Sequence, residues 1–216
     1  MNIIVLCGGL SNERDVSLSS GRKVSGALRE LGHRVVLVDL FFGYRGTYRD
    51  PAEIFEHPYT DEGGAIGDEA PDLEAVRKSR GARSTSRIGD NVIEVCRAAD
   101  LVFMALHGED GENGKIQALF DVFGIKYTGC GYLGSAMAMN KGVAKELFRQ
   151  NGILTPKGTV LRKGDSAAAA PCLPCVVKPR SGGSSVGTSI AHTGEEFRTA
   201  LELGFRYENE VIAEEY

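Results

Sequence analysis

No stretch of this 216-residue chain approaches the roughly 20 consecutive apolar residues that a membrane-spanning helix requires. The N-terminus lacks a basic segment followed by a long apolar core, the mark of a secretory leader, and its apolar stretch from Ile3 to Cys7 is only strand-sized. A basic surplus is missing too. The formal net charge is −4 and no basic stripe is present, which argues against a nucleic-acid partner. Cysteines number five, odd and scattered, the usage of a reducing compartment. Cys172-Leu173-Pro174-Cys175 has the spacing of a redox motif, but it precedes a strand and opens no helix. These cysteines are read as ordinary thiols, and zinc would need further Cys or His nearby. The expectation is a soluble cytoplasmic protein without membrane attachment, 42% hydrophobic and long enough for one large domain or two small ones.

What the chain does contain is a set of glycine-rich loops placed after strand-like segments. Val176-Val177-Lys178 reads as a short buried strand whose end projects a cation. The loop that follows, Pro179 to Gly187, includes Gly182 and Gly183, which leave backbone N–H groups open to an anion, and the hydroxyl donors Ser184 and Ser185. Here the lysine precedes the glycines, so this is not the phosphate-loop signature in which it follows them. Leu101 to Ala105 reads as a buried parallel strand, with His107-Gly108-Glu109-Asp110-Gly111 at its carboxyl end, where open α/β sheets place ligands. Ile3 to Cys7 likewise runs into Gly8-Gly9, a polar loop and a helix. Three such loops suit one composite ligand site better than three unrelated turns.

Apolar spacing organises the rest. Val24, Leu28 and Leu31 share one helical face and join the first strand to Val35–Val38, a strand–helix–strand unit that predicts a parallel pair. Residues 41–90 have poor apolar periodicity, with 61–89 expected to be loop or disordered. Helices are expected at 92–97, 117–123, 133–139, 141–151 (Val143 and Leu147 inward, Gly152 as its stop) and 195–203. Short strands are expected at 125–127, 160–161, 175–178, 188–191 and 211–214.

Five segments in order resemble the D-alanine–D-alanine ligase family, the ATP-grasp enzymes that make the dipeptide of bacterial cell-wall precursors. They are Gly8-Gly9 through Glu13-Arg14-Asp15-Val16-Ser17-Leu18, Ala105-Leu106-His107-Gly108, Tyr127 to Gly131, Met139-Asn140-Lys141, and Lys178 to Gly187. The resemblance implies an α/β fold: a Rossmann-like pre-ATP-grasp domain with a parallel sheet at 1–130, binding substrate, then the first α+β subdomain of a truncated ATP-grasp module at 131–216. It further implies ATP-dependent joining of two D-alanines through an acylphosphate for peptidoglycan, with Mg2+ or Mn2+, ATP and D-alanine as small-molecule partners, and a homodimer. Family members continue past this point into the metal ligands, so the chain is expected to be their front part, as a fragment or a truncated product, and inactive alone. The remaining alternatives are a D-alanine–D-serine or D-alanine–D-lactate ligase, another ATP-grasp carboxylate–amine ligase, or a non-catalytic binding module.

Residue by residue, Glu13 matches the glutamate that takes the ammonium of the first D-alanine, Val16 and Ser17 line that pocket, and His107 orients the substrate. Lys141 and Lys178 match the two phosphate-holding lysines, with Gly183 and Ser185 as further donors. Ser184 matches the serine fixing the loop to Glu13, which places both in the catalytic set. Glu214, Glu215 and Tyr216 match the hinge that reads adenine. Gly182 stands where relatives often carry an acidic or other polar residue, and Glu215 where many carry lysine.

Overall fold

A computed structural model of the chain describes residues 1–56, 71–81, 85–164, 170–183 and 185–216. They form two compact units, Met1–Ser135 and Ala136–Tyr216.

In the first unit, β1 (Asn2–Cys7) is buried at every residue after Asn2, as a strand covered on both faces must be. It lies between β2 (Arg34–Asp39) and β3 (Leu101–Met104), parallel to both, with Ile4 opposite Val36 and Val102. The strand–helix–strand expectation holds through α1 (Arg14–Glu30). Leu18, Val24 and Leu28 pack against Ile3, Val5, Cys7 and Val35 on one sheet face. Gly21 brings helix and strand close, because a Cβ there would lie 2.7 Å from Cys7 Cβ. Leu31 departs from expectation. It falls one residue past the helix end and is 74% exposed, since the inward stripe is finished by small residues and not by a third leucine.

The opposite sheet face packs Ile4, Leu6, Val36, Val38 and Val102 against α3 (Val92–Arg97) and α5 (Lys115–Phe123) through Val92, Val95, Ile116 and Phe120. A short helix, α4 (Glu109–Glu112), precedes α5, and Gly124 in the left-handed region stops it at φ +66°. The strand expected at 125–127 is reduced to a single parallel bridge between Val102 and Tyr127.

The 61–89 expectation also needs correction. Residues 73–79 form a helix, α2 (Leu73–Ser79), while residues 57–70 and 82–84 lie outside the described residues. No residue of α2 is buried, so it carries no apolar stripe. It is specified at its ends: Asp72 accepts the N–H of Ala75, Glu74 sits in the first turn, and Arg77 and Lys78 sit in the last.

The second unit follows α6 (Tyr132–Met139) with α7 (Lys141–Gln150), then an antiparallel sheet in the order β4-β7-β5-β6. Its strands are β4 (Gly158–Arg162), β5 (Cys175–Pro179), β6 (Ser189–Ala191) and β7 (Glu210–Glu215). One face packs Leu161, Cys175, Val177, Val211 and Ala213 on α8 (Gly194–Gly204) through Phe197 and Ala200. Because side chains alternate along a strand, Val176, Lys178, Ile212 and Glu214 belong to the other face, with Val176 registered on Glu214 and Lys178 on Ile212. Asn140 caps α7 by accepting the Val143 N–H at 3.1 Å. Val143 and Leu147 are only half-buried there. The buried residue of α7 is Lys145. Cys172 and Cys175 are free, and burial raises the Cys175 thiol pKa, with Cys172 adding to the rise.

Candidate functional site

The carboxyl ends of β1 and β3 form the site of the first unit. Gly8 and Gly9 turn the chain at φ +70° and +78°, a region that suits glycine. The Ser17 hydroxyl accepts the Gly8 N–H at 2.9 Å and donates to the Ala105 carbonyl at 2.7 Å, tying the two strand ends together. Ser17 is fully buried and committed to backbone, whereas Val16 is 41% exposed. Ser11 makes a parallel tie: its hydroxyl donates to the His107 carbonyl at 2.7 Å and accepts the Glu13 N–H at 3.2 Å.

Glu13 occupies the N-cap position of α1 without capping it by its side chain. Its Oε2 instead lies 2.8 Å from where a Cβ on Gly108 would be. Gly108, at φ +67°, is therefore needed both for its turn and for the space beside that carboxylate. Glu13 and His107 are both half-buried, and among the described residues no cation pairs with Glu13. A half-buried carboxylate at a glycine-lined loop is suited to a small cation such as an ammonium.

Residues absent from the sequence-based set hold these loops. Arg14, buried, donates to the Gly9 carbonyl at 2.7 Å and pairs with Asp39 at 2.5 Å. Asp39 also accepts the N–H groups of Phe41 at 2.8 Å and Phe42 at 3.2 Å. Arg87 donates to the Leu10 carbonyl at 2.8 Å and pairs with Asp110 and with Glu109, so it bridges the loops after β1 and β3. Arg14 lay within a quoted motif, but nothing in the sequence singled out Arg87.

In the second unit, three amines gather near one carboxylate. Lys178 Nζ donates to Glu214 Oε1, and Lys145 Nζ donates to Glu214 Oε2 at 2.6 Å and to Thr155 Oγ1 at 2.9 Å. Lys141 Nζ donates to the carbonyls of Gly182 at 2.6 Å and Pro179 at 3.3 Å, at the base of the glycine loop. Burial, and then the charge of Lys178, hold the Lys141 ammonium below the ordinary lysine pKa, with Glu208 and Glu214 opposing. Burial raises the Glu214 pKa, but the hydrogen bonds from Lys145 and Lys178 outweigh it and the net shift is downward. Arg180 adds a further cation, joined to Asn140 Oδ1 at 2.8 Å and paired with Glu210.

Among the residues expected here, Lys141, Lys178 and Glu214 converge. Gly183 and Ser185 are exposed loop positions, and Ser184 lies outside the described residues. Glu215 is exposed, and its carboxylate accepts the Lys157 N–H at 3.0 Å. Tyr216 is 72% exposed, its ring 6.4 Å from that of His192. Lys145, the most buried amine of the cluster, was missed because a lysine on a helix reads as solvated. Three ammonium groups against one carboxylate suit a polyanion. Among the described residues no group of three His, Cys, Asp or Glu side chains could hold a metal ion. No helix among them is long and apolar enough to cross a membrane.

The depressed Lys141 pKa gives a signed pH dependence. A phosphate favours the protonated amine, so polyanion affinity should fall as pH rises through a value below the ordinary 10.5. In Lys141→Arg the guanidinium stays charged, and this alkaline decline should move out of range. Polyphosphate affinity measured from pH 7 to 10 checks this, and an unchanged decline in the arginine variant would assign it to another group.

Residues 2–130 match the family described as D-ala D-ala ligase N-terminus, and residues 147–216 match D-ala D-ala ligase C-terminus. The chain is 44% identical over its whole length to a D-alanine–D-alanine ligase of Lacticaseibacillus casei (strain BL23), of which it covers 61%. It is 43% identical to the enzyme of that name from Pediococcus pentosaceus, covering 62% of it. A solved D-alanine–D-alanine ligase from Bacillus anthracis complexed with ATP superposes with a TM-score of 0.67 at 26% identity, over all of this chain and 58% of the other. This chain thus spans about three fifths of the length of these curated relatives.

Proposed function

Because the chain belongs to the D-alanine–D-alanine ligase family, we propose that it carries the first-substrate site and the phosphate-holding part of an ATP-dependent ligase that joins two D-alanines for peptidoglycan. In this reading residues 1–130 bind D-alanine and residues 131–216 bind nucleotide. The observation that carries it is the convergence of Lys141 and Lys178 beside the glycine loop, with Glu214 between Lys145 and Lys178.

A carboxylate is a poor acyl donor because its leaving group would be oxide. Phosphoryl transfer from ATP converts it to an acylphosphate, which the amine of a second D-alanine attacks with loss of inorganic phosphate. Such chemistry depends on positioning and charge stabilisation. Lys141 and Lys178 hold the phosphates, with Gly183 and Ser185 as further donors from the loop. Glu13 takes the ammonium of the first D-alanine in the space that Gly108 leaves beside it, and His107 orients that substrate, with Val16 at the exposed rim. Ser17 acts one layer deeper, by fixing the two strand ends. The backbone of Glu214 and Glu215, with Tyr216, borders the base. Divalent metal, homodimer formation and a cytoplasmic location complete the proposal.

The test is to incubate the chain with ATP, magnesium and D-alanine, with L-alanine as control, and to measure both nucleotide binding and phosphate release. Saturable nucleotide binding is expected, because the ammonium groups of Lys141, Lys145 and Lys178 gather beside the glycine loop. D-alanine-dependent release would show that the chain alone suffices. Failure to bind nucleotide at all would overturn the proposal.

A further inference from the structure

Lys145 sits in the middle of α7, is 7% exposed, and faces Glu214 and Thr155 rather than open solvent. An ammonium at such a place carries a desolvation penalty that a methionine of similar length would not, so its presence calls for a role beyond packing. Both of its contacts hold it inward: Glu214 Oε2 at 2.6 Å and Thr155 Oγ1 at 2.9 Å. The other oxygen of the same carboxylate takes Lys178, whose side chain is 26% exposed against 8% for each of Lys145 and Glu214. One carboxylate therefore links a deep amine to a shallower one. Gly158 shapes the position as well, since a Cβ there would come within 2.6 Å of Glu214 Cβ.

We propose that Lys145 acts on the nucleotide site through Glu214: by pairing with Oε2 of that carboxylate it balances its charge, so that the charge of Lys178 remains available to phosphate. The inference rests on the assignment of Lys141 and Lys178 to phosphate binding made above. Charge counting makes it specific. Lys141, Lys145, Lys178 and Glu214 carry a formal surplus of two positive charges. Removing the charge of Lys145 alone leaves a surplus of one, whereas removing the charges of both Lys145 and Glu214 restores two. Glu208, the other carboxylate acting on Lys141, is the same in every case.

The experiment compares the wild-type chain with Lys145→Met and Lys145→Met/Glu214→Gln, measuring MgATP affinity by equilibrium dialysis on protein shown to be folded by circular dichroism. The single variant should bind about tenfold more weakly, and the double variant should recover most of that loss. A purely structural lysine would make the double variant no better than the single. Should the methionine variant melt below the assay temperature, Lys145→Gln keeps a donor for Glu214, removes the charge, and should show the same loss. Wild-type affinity in the single variant, or no recovery in the double, overturns the role of Lys145 while leaving the phosphate site standing. Absence of nucleotide binding by the wild-type chain overturns both.

Discussion

Asp39→Ala is expected to lower the unfolding free energy by about 3–5 kcal/mol, because it leaves the guanidinium of Arg14 buried without its counter-charge. The two side chains are only 8% and 12% exposed and lie 2.5 Å apart. The loss extends beyond the pair, since Asp39 also accepts the N–H groups of Phe41 and Phe42 as the chain turns out of β2. Gly8 belongs to the same arrangement: a Cβ there would meet the Asp39 carboxylate at 2.5 Å. Arg14→Met/Asp39→Leu should recover a large part of the stability, because a neutral pair carries no unpaired buried charge. Urea unfolding of the two variants checks this. A loss below about 1 kcal/mol for Asp39→Ala would mean that water reaches Arg14.

Lys178→Met should weaken nucleotide binding by about 30- to 100-fold, which corresponds to the roughly 2–3 kcal/mol of a charge-assisted contact with phosphate. The residue is placed by the end of β5, which pairs with β7 through Lys178 and Ile212, and its amine is aimed by Glu214. The effect should exceed that of Lys145→Met, because in the proposed site Lys178 touches the phosphate and Lys145 acts through a carboxylate. Stability should change little by comparison, since a 26% exposed side chain has access to water and Glu214 keeps Lys145 as its partner. Dialysis against labelled ATP, alongside a thermal melt, separates the two quantities. Equal affinity for the variant and the wild type would remove Lys178 from the phosphate site.

The first unit was legible in the sequence because its strands are apolar runs covered on both faces. Ile3 to Cys7, Val35 to Val38 and Leu101 to Met104 are continuous apolar runs, and each is a strand. Gly152 ended its helix as expected, and Gly124 does the same, both with positive φ. The helix at 73–79 was missed for the complementary reason: it buries nothing, so its signal lay in Asp72 and in charges at its ends and not in any periodicity. Lys141 and Lys178 were picked out by two of the five ordered motifs, and Glu214 by its resemblance to the hinge. What those motifs did not convey is that Ser17 would spend its hydroxyl on the backbone of two strands.

The sequence by itself determined which segments must leave water and where the chain must turn, because apolar runs and glycines state those requirements locally. Only the tertiary structure decided which charged residues are buried and what compensates them. Arg14 finds Asp39 across 25 residues, the buried Asp110 finds Arg87 across 23, and Lys145 finds Glu214 across 69. A charged side chain prefers water unless a counter-charge is supplied, and that counter-charge is brought by the folded backbone, so no local pattern announces it.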